Sequence, residues 1–373
     1  MTQLPDYPSL SGSPQAEKLF HYVEQGKVWL RDILDAPQDG DVIQDLSASR
    51  LLFSLADAAA RVCRGSYIVT TELDHPASID GAARCAEKYN KKLVVVPVDQ
   101  KIHSVTAESV LDVISQDTGV LMLTCTSNTT GAILPYEKIV REARKLHPDL
   151  FIILDGVQRA PHGPVNLSTC PADALVIAPY KMFSSRGSGL AWISERMNLI
   201  GKDCLIGHSG SSWELGSIDP ISFGLMSAVG EYLSELGTHV NASAVSQRER
   251  IRLGQKFIEQ REQELHTFML EGTEDLPGLR HIPGVQLHFD QNDLRCKDWI
   301  VSITSDRIAS EQWHKRFLSQ NIVLSLRRGT SIFCGTLLKS YGTGDVLRIS
   351  PMHYHQETDI RRFLQAVIQM LKQ

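Results

Sequence analysis

Long apolar runs are missing from this chain, and none approaches the ~18 residues that a membrane helix needs. An excess of positive charge is missing too. Lysine and arginine number 38 against 43 aspartates and glutamates, a formal net charge of −5, so the basic footprint of a nucleic-acid binder is absent. The opening MTQLPDYPSLSGSPQAEKLF has no basic segment leading into an apolar one; a secretory signal is not expected. No C-x-x-C pair occurs among Cys63, Cys85, Cys125, Cys170, Cys204, Cys296 and Cys334. Scattered thiols of this kind fit a reducing cytoplasm and no metal site. No G-x-G-x-x-G follows a strand-like run, and no ligand cluster stands out, which disfavours a nucleotide-binding dehydrogenase and a metal hydrolase. Internal repeats and low-complexity tracts are absent as well.

What is present is an ordinary globular composition, 42% hydrophobic and 22% charged. At 373 residues the chain exceeds the ~150 of a typical domain, so two domains or one large enzyme fold are expected, with no need of disulfides. The most informative stretch is residues 151–189. Its two apolar runs end in reactive groups: FIIL leads into Asp155, and ALVIAPY leads into Lys181. Short continuous apolar runs bounded by glycine and proline read as buried strands of a parallel sheet. In such sheets ligands bind beyond the carboxyl ends of the strands. A carboxylate and an amine at one crevice suit pyridoxal phosphate, whose aldehyde takes a lysine as a Schiff base and whose ring nitrogen takes an aspartate. Taken singly, Asp155 reads more plainly as a turn cap and Lys181 as a surface lysine.

Other candidates fall at equivalent places. Ser47-Ala48-Ser49 opens a helix, LLFSLADAAARV, where unpaired N–H groups favour an anion and a capping serine is the plainer reading. His75 lies between the strand SYIVT and a helix starting near Pro76; an imidazole there can stack on a flat ring and move protons. Asn128 follows the run GVLMLTC in the loop TSNTTG, where a turn role is the alternative. The βαβαβ alternation from 45 to 190 argues for an α/β domain with a mostly parallel sheet. VSQRERIRLGQKFIEQREQEL reads as a charged connecting helix with a solvated face. Strand-like VQLHF, WIVSIT, IVLSL and VLRIS mixed with helices suggest a smaller α+β domain. The expected division is 1–44 as an N-terminal segment of the small domain, 45–255 as the large domain and 256–373 as the small C-terminal domain.

Together these phrases resemble the class V aminotransferase and cysteine desulfurase group of pyridoxal-phosphate enzymes, of the fold type I, aspartate aminotransferase-like architecture. LDGVQRAPHGPVNL followed by PADALVIAPYKMF and GSG is the most specific part. The resemblance implies pyridoxal 5′-phosphate as cofactor, Asp155 at the ring nitrogen, Gln158 near the ring hydroxyl and Lys181 as the Schiff-base lysine. It implies ring stacking for His75 in TTELDHPAS, and cofactor or substrate contact for Asn128 in SNTTGAILP. WELGS implies that Ser217 reaches the phosphate of a neighbouring subunit, hence a homodimer with shared sites. LRISPMHYHQETDI implies that Arg348 holds the substrate carboxylate. One such phrase arises by chance; six in the same order do not.

Departures from the group's pattern fall around the phosphate. Ser47-Ala48-Ser49 replaces a Gly-Thr-Thr type phrase, and Ala178-Pro179-Tyr180 replaces Ser-x-His, leaving Tyr180 as the only substitute hydroxyl in that triplet. Ser184-Ser185-Arg186 replaces a Gly-Pro turn, which makes Arg186 a candidate phosphate or substrate contact or a surface cation. Cys334 stands 14 residues before Arg348, as a desulfurase nucleophile would, but its apolar neighbours would raise a thiol pKa. The expected activity is a C–S or Cβ–X lyase on a small amino acid. The alternatives are an aminotransferase or epimerase, a biosynthetic decarboxylation or substitution, and a non-catalytic scaffold; retention of Lys181 with Asp155 argues against the last.

Overall fold

The computed structural model describes residues 13–200, 213, 215 and 219–372. A seven-stranded sheet organises the larger part of the molecule. In chain order its strands are β1 (Asp41–Asp45), β2 (Tyr67–Thr71), β3 (Lys92–Val96), β4 (Thr118–Thr124), β5 (Phe151–Asp155), β6 (Ala174–Ile177) and β7 (Gly189–Ile193). Their spatial order is β1-β7-β6-β5-β4-β2-β3. Strands β3, β2, β4, β5 and β6 run parallel, and β7 is antiparallel to both of its neighbours. This is the mostly parallel α/β fold expected.

The runs VLML of β4, FIIL of β5 and ALVI of β6 are apolar because both faces of the sheet are covered. Val120 and Met122 of β4, with Ile153 of β5 and Val176 of β6, join the cluster under helices α2 (Ala48–Val62) and α3 (Pro76–Lys88). Leu121 and Leu123 point the other way, as the two-residue period of a strand requires. They meet Leu30 and Ile33 of α1 (Pro14–Ile33) and residues beyond the short α4 (Ala107–Leu111), namely Ile139 and Val140 of α5 (Tyr136–Leu146). After a short α6 (Glu195–Leu199), Met226 and Leu233 of α7 (Pro220–Val240) complete that face. The first segment, expected to serve the small domain, thus buries α1 against the large sheet and supplies its edge strand β1.

The long helix α8 (Gln247–Glu271) links two cores. Ile251 and Ile258 belong to the cluster on the large sheet, while Leu265, Met269 and Leu270 belong to a separate one. A small hairpin, β8 (Gly272–Thr273) and β9 (Leu276–Pro277), follows it. An antiparallel sheet of order β10-β11-β13-β12 comes next: β10 (Val285–His288), β11 (Val301–Ser305), β12 (Ser325–Arg327) and β13 (Val346–Ile349). It packs against α9 (Ser310–Ser319) and α11 (Glu357–Leu371), with Trp313, Phe317, Phe363 and Leu364 inside. The short α10 (Gly335–Ser340) lies between β12 and β13. Helix α8 is more than the solvated connector its charge suggests: Gln255, Glu262 and His266 on it are buried. Among the described residues no helix is long and apolar enough to cross a membrane.

Candidate active site

Five chain segments converge at one edge of the large sheet. The carboxyl ends of β1, β2, β4, β5 and β6 deliver the starts of α2 and α3, the 126–131 loop, Asp155 and the turn Pro179–Lys181. This is where ligands bind in open parallel sheets. A cavity of about 290 Å³ there is lined by Ser47, Ala48, Ser49, His75, Asn128, Asp155, Gln158, Tyr180, Lys181 and Arg186, all expected from the sequence. Ser217 lies outside the described residues.

Asp155 is 4% exposed. Its Oδ1 accepts from the Val157 N–H at 3.0 Å. Burial raises its pKa, with His75 and Lys181 pulling the other way. Lys181 extends over the same space and donates from Nζ to Gln158 Oε1 at 3.1 Å. Burial pushes its amine down to about 8; Arg348, Arg327 and Arg186 add to the fall and Asp155 opposes it. The amine is therefore poised near the range where it acts as nucleophile or base.

His75 caps α3, its Nδ1 accepting from the Ala77 N–H at 3.1 Å. That bond assigns the proton of the neutral ring to Nε2. Burial lowers the imidazole pKa and keeps it neutral. At the opposite end Ser47 caps α2, its Oγ accepting from the Arg50 N–H at 3.1 Å. Gly189 lets β7 come close to this helix start, since a Cβ there would lie 2.3 Å from Ala48 N. The Arg186 guanidinium sits 4.3 Å from the centre of the Tyr180 ring, and both face the cavity. A helix N-terminus, hydroxyls and a guanidinium at one end make an anion cradle.

Arg348 approaches from β13. Its Nη1 donates to the Asn128 carbonyl at 2.6 Å and its Nη2 to Ser350 Oγ at 3.2 Å, while Nε is buried without a partner. Burial and Arg327 together lower its pKa to about 10. Arg327 did not emerge from the sequence. It lies on β12, paired with Val346 two residues from Arg348, so both arginines are on one face of the small sheet. Its Nε is also a buried donor without a partner. The period-two pattern Ser325-Leu326-Arg327 was the one available signal.

Cys334 is placed differently. It is 4% exposed, clustered with Phe289, Leu338 and Val346, and its thiol donates to the Arg328 carbonyl at 3.6 Å. Neither it nor Arg348 nor Arg327 lines the cavity, but Arg348 reaches the carbonyl of Asn128, which does. The neighbouring Phe333 ring lies 6.0 Å from the His75 ring, the two planes inclined by 28°.

Fold and site bring an amine, a buried carboxylate and an anion cradle to one cavity at the carboxyl edge of an α/β sheet. The Aminotransferase class-V family model matches residues 11–363. The chain belongs to that family, a group of pyridoxal-phosphate-dependent enzymes. It is 22% identical over 361 residues to a probable cysteine desulfurase of Pasteurella multocida, covering 96% of this chain and 82% of the relative. A probable cysteine desulfurase of Mycoplasma genitalium is 23% identical over 181 residues, 48% of this chain and 44% of the relative, so less than half of that protein is spanned. Among solved structures, the apo cysteine desulfurase of Thermococcus onnurineus NA1 superposes with a TM-score of 0.79 at 19% identity, over 98% of this chain and 87% of that one. A cysteine desulfurase of Escherichia coli in its S-sulfonic acid form gives 0.78 at 19% identity, over 99% and 88%.

Proposed function

We propose that this chain binds pyridoxal 5′-phosphate on Lys181 and acts on a small α-amino acid as a Cβ–X lyase. The observation that carries this reading is the depressed, half-buried amine of Lys181 sharing one cavity with the buried carboxylate of Asp155. When bound, the cofactor supplies an electron sink for the pair released at the substrate Cα. The donor set fits it. Asp155 would keep the ring nitrogen protonated, and His75 would lie flat on the ring. Ser47, Ala48, Ser49, Tyr180 and Arg186 would hold the phosphate, with Ser217 of a second copy completing it in a homodimer. Arg348, with Asn128, would grip the substrate carboxylate and fix which Cα bond breaks; the unpaired Nε donors of Arg348 and Arg327 await an anion. Lys181 would take the Cα proton and pass it to the leaving group.

The sequestered sulfur of Cys334 favours release of the leaving group to solvent over its capture by the protein. For cysteine the balance is then cysteine plus water giving pyruvate, ammonia and sulfide, a β-elimination with no change of protein thiol. A second reading, transamination or epimerisation, draws on the same observation, because it needs only Lys181. We further propose that the two structural units divide within α8, and that the chain works in the cytoplasm. Purified protein should be yellow, with an absorbance that borohydride removes and that Lys181→Ala loses. A colourless chain that gains nothing from added pyridoxal phosphate would overturn the reading. Cysteine turnover giving sulfide with pyruvate supports elimination, whereas conversion of the cofactor to its amine form supports transamination.

A further inference from the structure

A buried hydrogen-bonded chain leaves the cavity behind Lys181. Its Nζ donates to Gln158 Oε1 at 3.1 Å, and Gln158 Nε2 lies 3.0 Å from His162 Nε2. His162 Nδ1 lies 2.7 Å from Glu262 Oε2 on α8. Glu262 Oε1 accepts from the His353 N–H at 3.1 Å. Gln158, His162 and Glu262 are all buried, so water cannot substitute for a mismatched partner and each donor needs an acceptor.

With Glu262 ionised, the donor inventory allows two arrangements. With His162 neutral and its proton on Nδ1, the Gln158 amide donates to Nε2 and turns its oxygen toward a Lys181 ammonium. With His162 protonated on both nitrogens, two N–H groups would face each other unless the amide turns over. The turned amide presents N–H to Lys181, which accepts it only through the lone pair of a neutral amine. We propose that His162 and Glu262 are positioning residues that set which end of the Gln158 amide faces Lys181, so that a proton on His162 and a proton on Lys181 exclude one another. This deepens the proposed role of Lys181 and rests on it. Around His162, Glu262 and Asp298 carry negative charge and Arg159 positive; His353 and His266 are held neutral by burial at about 4 and about 3. Burial likewise brings Lys297, which lines a second, small cavity with His162 and Glu262, down to about 7. Burial pulls the His162 pKa down, but the charge and hydrogen bond of Glu262, with Asp298, raise it above its ordinary 6.5.

The test is the acetylation rate of Lys181 by acetic anhydride at pH 6.5, read by mass spectrometry on the full chain freed of carbonyl cofactor by hydroxylamine. In Glu262→Gln, His162 loses its proton, the amide oxygen turns to Lys181, and labelling should slow several-fold. A direct field effect has the opposite sign, since losing a carboxylate makes a nearby ammonium more acidic and labelling faster. An unchanged or faster rate overturns the proposal. The slowing should vanish in a Gln158→Leu background; if it persists there, the amide is not the conductor. A chain that labels as expected but never turns yellow with pyridoxal phosphate would sink the cofactor reading and leave this coupling standing.

Discussion

The depressed amine of Lys181 makes a quantitative prediction about its own capture of the cofactor. With its pKa near 8, against an ordinary 10.5, roughly one amine in ten is neutral at pH 7, against roughly one in three thousand for a solvated lysine. Only the neutral form attacks an aldehyde. The rate at which cofactor-free chain forms an imine with pyridoxal phosphate, followed by stopped-flow absorbance, should therefore climb about tenfold per pH unit up to 8 and then level off. A rate that still climbs tenfold per unit between pH 9 and 10 would refute the reasoning, because it would mean a solvated lysine. Arg327 is one of the groups holding the amine down, so Arg327→Gln should move the levelling point upward and slow capture at pH 7. Linkage carries the same sign. The unfolded chain binds more protons on this lysine between about 8 and 10.5, so this group's cost to the fold is greatest below pH 8 and is relieved as pH rises through that window.

Four further outcomes follow from the site. Asp155→Asn should still turn yellow but lose turnover by at least about a hundredfold, since a neutral amide no longer holds the ring-nitrogen proton; near-normal kcat would exclude that role. Arg348→Gln should raise KM for α-amino acids by roughly ten- to a hundredfold, the worth of charge-assisted hydrogen bonds, with far less effect on capture of the cofactor. Cys334→Ser should leave sulfide release from cysteine within about twofold of the parent if the sulfur stays in its apolar cluster, and a collapse of that rate would put a persulfide back in the mechanism. Gly189→Ala should weaken cofactor retention on dialysis, because its methyl would meet the backbone of Ser47 and Ala48 at 2.3 Å and push the start of α2 out of place.

What could be read in advance follows from where burial leaves a local mark. Strands β4 and β5 are covered on both faces at every position, so their runs are apolar without interruption and their carboxyl ends could be located with Asp155 and Asn128 attached. Strand β1 gives no such signal. DVIQD has one short apolar pair, and its place is fixed by antiparallel pairing with β7, about 150 residues later. Buried polar groups are harder still to foresee, because their partners are remote in sequence. On α8, Gln255 is satisfied by the Ile33 carbonyl and Glu262 by His162 and the His353 N–H. Arg159 is held by Glu259 and Asp298. Each of these looks like a solvated polar group until the fold supplies its counterpart. The same reasoning separates Cys334 from Arg348. Resemblance put Arg348 beside the substrate and spacing from it did the same for Cys334, yet only the arginine has a strand, β13, to carry it to Asn128, which lines the cavity. The thiol opens α10, where Gly335 packs against the Gly329 carbonyl, a contact a Cβ would meet at 2.5 Å. Close backbone packing of that kind turns Cys334 inward and leaves Phe333 beside His75. The choice of reaction thus depends on the loop between β12 and α10, the part of the site where neighbours in sequence say least about neighbours in space.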